Sequence, residues 1–400
     1  MLYNFDEPVD RHGTWSSKWE SGQLMKAAGF VDHFDDDTIP LFTADMDFRC
    51  PDSVKTAILK LAERNLFGYT TLHPSICPEY YEAVTSWYQK RQGWTFSAED
   101  MVYVNGTIEA MRAVFTTFSA PGDGVLITRP LYGPFTDNIL GTNRRVVNSQ
   151  LVDREGNLYY TVDWEDFERK AADPSVKIFA LCSPHNPCGR IWTDEELVRM
   201  YDICTRHHVL VMADEIHGDL TRVGKEFHPI ATCVDGKNLI SFTSVNKTFN
   251  LAGLQGTNAV ITNPALREAY RKTLRWCPPN PFTIAAMTGA YSGGEEWLDQ
   301  LRIYLDGNID WALGFMAEHM PKVKCRRPDG TYILWMDFRA YGLTAEEIHK
   351  KIYVDANVML EGGRMFDPDQ GDGFERMCVP TRRELLKEAF ERIAKQFEGL

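Results

Sequence analysis

The sequence predicts an α/β fold: a mixed, mostly parallel sheet flanked by helices, with a smaller α+β domain beside it. Between about residues 101 and 260, short apolar runs alternate with amphipathic stretches. That is the pattern of parallel strands joined by crossover helices. After about residue 281 the pattern turns helical, broken by one apolar run and closed by a last helix. At 400 residues the chain is too long for one ordinary core. The expected division is an N-terminal segment (1–48) packing with the small domain, a large α/β domain (49–285) and a small C-terminal α+β domain (286–400).

The elements follow in order. The first fifty residues are irregular and rich in Trp and Asp. MVYV (101–104) reads as a strand and IEAMRAVFTTF (108–118) as a helix. GVLIT (124–128) and KIFALC (177–182) are strands, with SPHNPCGR (183–190) as a loop. TDEELVRMYDICTRHH (193–208) is a helix in which Thr193 and Glu196 are spaced as a capping box. VLVMA (209–213) and NLISFT (238–243) are short apolar runs suited to buried strands. FTIAAMTGAY (282–291) and EEWLDQLRIYLDGNIDWALGFMAEHM (295–320) are helical, GTYILWMDF (330–338) is a strand, and a final helix starts near 383.

Composition excludes several classes. With 44% hydrophobic and 25% charged residues the chain is ordinary for a soluble protein. A net charge of −13 argues against binding nucleic acid or an anionic membrane. Nine cysteines without a C-x-x-C pair, no apolar signal core and no bilayer-length apolar run predict reduced thiols and a cytoplasmic location. There is no G-x-G-x-x-G, no G-x-x-x-x-G-K-[ST], no G-x-S-x-G and no H-E-x-x-H. Dinucleotide, P-loop, hydrolase-elbow and zincin chemistry therefore lack support.

In open α/β sheets ligands bind outside the carboxyl ends of the strands. Five residues fall there: Thr107, Asn186, Asp214, His217 and Lys247. NGT (105–107) opens a helix whose free N–H groups would attract a phosphate, although a plain threonine cap also accounts for it. Asp214, at the end of a buried strand, needs a partner. A cationic ring nitrogen would serve, as would an arginine or a helix N-terminus. His217 is either a ligand contact or a hydrogen-bonded structural histidine. Prolines on both sides of His185-Asn186 restrict the backbone, giving a rigid turn or an amide held against a ligand oxygen. Lys247 is a lone cation after the strand NLISFT. Beside a phosphate site and an aspartate, it fits a Schiff-base lysine serving an aldehyde cofactor.

These segments resemble the fold-type I pyridoxal phosphate enzymes over nearly the whole chain, and within them the cystathionine β-lyase-like C–S lyase branch. The general features are PHNPCGR, ADE (213–215), S-x-x-K-T-F-N-L-A-G (244–253) and GTYILWMDF; the branch features are RHGTWSSKW (11–19), ADMDF (44–48), GYT (68–70) and DEIH (214–217). The resemblance implies roles. Lys247 would bind the cofactor aldehyde and shuttle the substrate proton. Asp214 would pair with the pyridinium nitrogen, and Asn186 and His217 would sit at the ring oxygen. Tyr132 would stack on the ring. Gly106, the N–H groups of Thr107 and Ile108, and the Ser244 hydroxyl would hold the phosphate. Tyr69 would reach the phosphate of a neighbouring subunit, implying a homodimer with active sites at the interface. Arg376, with Tyr132 and Asn186, would bind the amino-acid substrate, clamping its carboxylate.

Some positions depart from the pattern. Asn246 stands where Ser, Ala or Thr is more usual. Gln255 stands where many aminotransferases carry a phosphate-binding Arg, which leans toward the lyase. NGTIEAM resembles the aminotransferase loop instead. Cys378 stands where the branch often has Asn, and FDPDQGDGF replaces a Phe-Gly turn. The expectation is a lyase cleaving L-cystathionine or related cysteine S-conjugates to pyruvate, ammonia and a thiol. The alternative is a class I/II aminotransferase, which shares every step up to the carbanion. A third reading, a regulator that binds the cofactor or a partner without turnover, belongs to another class.

Overall fold

The computed structural model describes residues 3–29, 31–274 and 278–400. A seven-stranded sheet runs in the order Met101–Asn105, Gly256–Val260, Leu239–Thr243, Leu210–Asp214, Val176–Cys182, Gly124–Ile127, Arg145–Asn148. The last five in this order are mutually parallel, and Gly256–Val260 runs antiparallel to both of its neighbours. Two of these strands have no apolar run to announce them. GTNAV is fully buried, yet its polar members meet partners inside the fold: Thr257 bonds Thr107, and Asn258 Oδ1 accepts from Tyr80 Oη at 2.6 Å. RVVN (145–148) is the sheet's edge and starts exposed.

Successive side chains on a strand point to opposite faces. Here both faces are buried. Ile178, Ala180, Leu210 and Met212 enter one apolar cluster, and Phe179, Leu181, Val211 and Ala213 enter another. A sheet covered on both sides reads as continuous apolar runs, which is how KIFALC and VLVMA read. Helices Thr107–Phe118 and Pro264–Thr273 cover the first face, and Trp164–Ala171 and Asp194–Arg206 the second. The Thr193–Glu196 capping box is present.

A second, four-stranded antiparallel sheet has the order Glu361–Gly362, Phe374–Cys378, Ile333–Asp337, Lys324–Cys325. The 25-residue helix Glu295–His319 and the helix Arg383–Phe397 pack against it. The N-terminal segment holds two short helices, Ser17–Glu20 and Gly22–Ala27, and its Ile39–Pro40 pairs in parallel with Val358–Met359. Helix Pro281–Gly293 lies close on helix Asp52–Ala62. A Cβ on Gly289 would meet the Ser53 carbonyl at 2.6 Å, so only glycine permits that approach.

One core cluster joins the N-terminal segment, these helices and the four-stranded sheet. Trp297 is 1% exposed in it, against Phe5 and Phe249. Trp297→Ala should destabilise the protein by about 3–5 kcal/mol, seen as a lower urea midpoint with unchanged slope.

Candidate active site

The carboxyl ends of the central parallel strands deliver the site. Asp214 ends its strand between Cys182 and Phe242. Val176–Cys182 leads to Asn186, and Leu239–Thr243 leads through Ser244 to Lys247. The three strands are each held by backbone pairing on both sides, which fixes where these segments begin.

Lys247 donates from Nζ to the Ala44 carbonyl at 2.8 Å. The same carbonyl accepts from Tyr332 Oη at 3.0 Å. Burial first, then the positive Arg376 nearby, lowers the Lys247 pKa against the opposing pull of Cys378, Asp45 and Asp214. Asp214 is buried and accepts one backbone N–H, from Ile216, at 3.4 Å. Burial pushes its carboxyl up to about 6. That is a carboxylate awaiting a cationic hydrogen-bond donor. His217 is 5% exposed, its ring edge-on to Tyr332 at 5.8 Å, and its Nδ1 has no partner among the described residues. Burial, then Lys247 and Arg376, hold it neutral.

Arg376 is 1% exposed on an inner strand of the small sheet. It donates from Nη1 to Asn186 Oδ1 at 3.4 Å and from Nη2 to the Phe42 carbonyl at 2.7 Å, and it forms an ion pair with Glu361. With Oδ1 so used, the Asn186 NH2 group is the part left to face a ligand oxygen. Tyr132 is half-buried in the field of Arg376, Glu361 and Asp214.

The helix Thr107–Phe118 opens at Gly106, with φ +98°. A Cβ on Gly106 would lie 2.5 Å from Gln255 Oε1. Glycine therefore serves both the backbone angle and the close approach. The first-turn N–H groups of Thr107 and Ile108 have no intrahelical acceptor. The Thr107 hydroxyl meets Thr257 Oγ1 at 2.9 Å, and Ile108 is 38% exposed at the surface. The Ser244 hydroxyl already serves the fold: it donates to the Gly256 carbonyl at 2.6 Å and accepts from Asn246 N–H at 3.0 Å. Tyr69 is 88% exposed. RWCPPNPF (275–282), expected at the pocket entrance, begins with three residues outside the described ones.

Two branch motifs interlock around the lysine. Asn250, three residues after Lys247, accepts from Met46 N–H at 3.0 Å and donates to the Met46 and Phe48 carbonyls at 2.9 and 3.2 Å. Arg11 donates to Met46 O and pairs with Asp45. Lys18, fully buried, pairs with Asp47 at 2.9 Å, and Trp19 Nε1 donates to the same carboxylate. RHGTWSSKW thus holds ADMDF, and ADMDF holds Lys247. Sequence reasoning missed Phe42, Tyr332 and Glu361 as site residues. Glu361 stands opposite Arg376 in strand register, and nothing local in the sequence signals that pairing.

The donor set fits pyridoxal phosphate: a buried acid for the ring nitrogen, an amide for the ring oxygen, an amine for the aldehyde and helix N–H groups for the phosphate. The family model described as aminotransferase class I and II matches residues 36–393. The chain belongs to that family. It is 35% identical over 396 residues to cystathionine beta-lyase PatB of Bacillus subtilis, covering 98% of each chain. Among solved structures it is similar to cystalysin from Treponema denticola, which contains pyridoxal 5'-phosphate (TM-score 0.92, 30% identity, 100% and 99% of the two chains). It is also similar to a pyridoxal-phosphate-bound C–S lyase from Staphylococcus hominis (TM-score 0.92, 32% identity, 99% and 98%). The fold is that of the family, as the sheet order and the sequence both indicate. No helix among the described residues is long and apolar enough to cross a membrane, and no group of three potential metal ligands occurs among them.

The raised Asp214 carboxyl gives a sign. The folded chain holds this proton more tightly than the unfolded chain, so burial destabilises the fold above pH 6 and ceases to do so toward pH 3.8. Asp214→Asn should stabilise the ligand-free protein by on the order of 3 kcal/mol near neutral pH. That gain should fade as pH falls to 4, in thermal denaturation of both forms across pH 4–8.

Proposed function

We propose that the protein is a pyridoxal-phosphate-dependent C–S β-lyase that cleaves L-cystathionine or related L-cysteine S-conjugates to pyruvate, ammonia and a thiol. The observation that carries this is the convergence of an amine of lowered pKa, Lys247, and a buried acid, Asp214, from the large sheet with a buried arginine, Arg376, from the small one. The relatives named as β-lyases and C–S lyases add the reaction class. When bound, the cofactor supplies an aldehyde for the substrate amine and a ring that accepts the electron pair left at Cα.

The chain's residues do the rest. Lys247 would hold the cofactor aldehyde and would take the substrate Cα proton on Nζ. An amine of lowered pKa is suited to both tasks. Asp214 would pair with the ring nitrogen and keep it protonated. Asn186 and His217 face the ring oxygen, with His217 neutral and able to donate or accept one hydrogen bond. Gly106, Thr107, Ile108 and Ser244 surround the phosphate, Ser244 by turning its hydroxyl from Gly256. Tyr132 covers the ring, and Arg376 fixes the substrate carboxylate. The thiol then leaves from Cβ.

The same reading makes the protein a homodimer of two-domain subunits, with Tyr69 reaching the partner's phosphate. Leu66, Phe67, Tyr69 and Ile76 are all more than half exposed on one segment, an apolar surface suited to burial by a second copy. In solution the mass should be twice the 45.7 kDa chain. Light scattering reads it, and a monomer at micromolar concentration would sink the shared-site reading.

The decisive assay is pyruvate release from L-cystathionine by the holoprotein with no 2-oxo acid present. Sustained turnover is expected, and Lys247→Ala should lower it by at least about a hundredfold. An aminotransferase would instead convert its cofactor once and stop.

A further inference from the structure

The geometry points to Glu361 as an internal competitor for the substrate carboxylate, one that must leave Arg376 before the substrate can be clamped. This rests on the reading of Arg376 as the carboxylate site, and it adds a residue that nothing in that reading contains.

The argument is a count of donors. A guanidinium has five N–H groups: one on Nε and two on each Nη. It can grip a carboxylate with two parallel bonds along either of two edges, Nε with Nη2 or Nη1 with Nη2. Both edges use Nη2. In this protein Nη2 donates to the Phe42 carbonyl at 2.7 Å and is held in an ion pair by the Glu361 carboxylate. Nη1 makes a single long contact with Asn186 at 3.4 Å, and Nε is buried without a partner among the described residues. The guanidinium is thus short of acceptors everywhere except at the one nitrogen a bidentate ligand needs.

One of the two acceptors on Nη2 has to yield, and they are not equally mobile. The Phe42 carbonyl is main chain in a pinned segment. Leu41 bonds Met359 and Cys378 through its backbone at 2.8 Å each, and Cys378 Sγ also reaches the Phe42 carbonyl, at 3.4 Å. Glu361 is a side chain on a two-residue edge strand, directly opposite Arg376 in register. No other residue among those described bonds its carboxylate. It also lines a cavity of about 640 Å³ between the edge of the small sheet and the N-terminal segment, with His349, Lys350 and Arg364 on the same wall. The cavity gives a displaced side chain room; its lining is largely apolar, and Arg364 on it is paired with Asp372 and Glu346. Glu361 therefore neutralises a buried arginine while the substrate is absent and gives way when a second carboxylate arrives.

Binding tests this without relying on turnover. Holoprotein is titrated with L-alanine, which has no group to eliminate, and with ethylamine, its counterpart without the carboxylate. The cofactor absorbance reports both. Removing the competing charge should tighten L-alanine roughly tenfold in Glu361→Gln, the weight of one charge-assisted rival bond, and leave ethylamine unchanged. Glu361→Ala, which removes the side chain altogether, should do the same, so one well-folded variant suffices. If L-alanine binds the variants equally or more weakly than wild type, Glu361 is a brace that orients Arg376, and the inference falls. A loss for both ligands alike would also overturn it, since that marks general damage. If wild type itself fails to respond to L-alanine, the amino-acid reading of the site fails and takes this inference with it.

Discussion

Two backbone carbonyls, those of Phe42 and Ala44, tie the three parts of the site together. Ala44 accepts from Lys247 of the large sheet and from Tyr332 beside the small one. Phe42 accepts from Arg376 and Cys378 of the small sheet. A segment without regular structure can hold such a position only if its own polar groups are satisfied. That is the task of Asn250, Arg11, Lys18 and Trp19, whose side chains bond residues 45–48. The lysine, the arginine and the acids around them are thus registered against one short length of main chain.

The electrostatics follow from depth. Asp214, His217, Lys247 and Arg376 lie where water is scarce, and burial is the first cause of the shift at the first three. It raises the acid, keeps the histidine neutral and lowers the amine. Arg376 alone stays firmly charged, because Glu361 stands against it. The site thereby holds one permanent cation, one amine of lowered pKa and one acid of raised pKa.

The fold was legible where strands are buried on both faces. KIFALC, VLVMA and NLISFT are continuous apolar runs because two clusters need them. GTNAV was illegible for the opposite reason: Thr257 and Asn258 are polar, and they belong in the core only because Thr107 and Tyr80 meet them there. The short N-terminal helices were missed as well, since four and six residues offer too little periodicity to read. The residues of the sheet's carboxyl edge were legible because strand ends are local features.

By itself, then, the sequence determined the α/β class, the family and the placement of Thr107, Asn186, Asp214, His217 and Lys247 beyond or at the strand ends. Each is marked by its neighbours in the chain. Only the tertiary structure decided that the Ala44 carbonyl receives the lysine and the Phe42 carbonyl the arginine. It alone showed that Gln255 closes on Gly106 and that Glu361 occupies Arg376. Those contacts join residues from 15 to 334 positions apart. Chain neighbours carry no trace of such pairings, because sheet register and the packing of one segment on another set them.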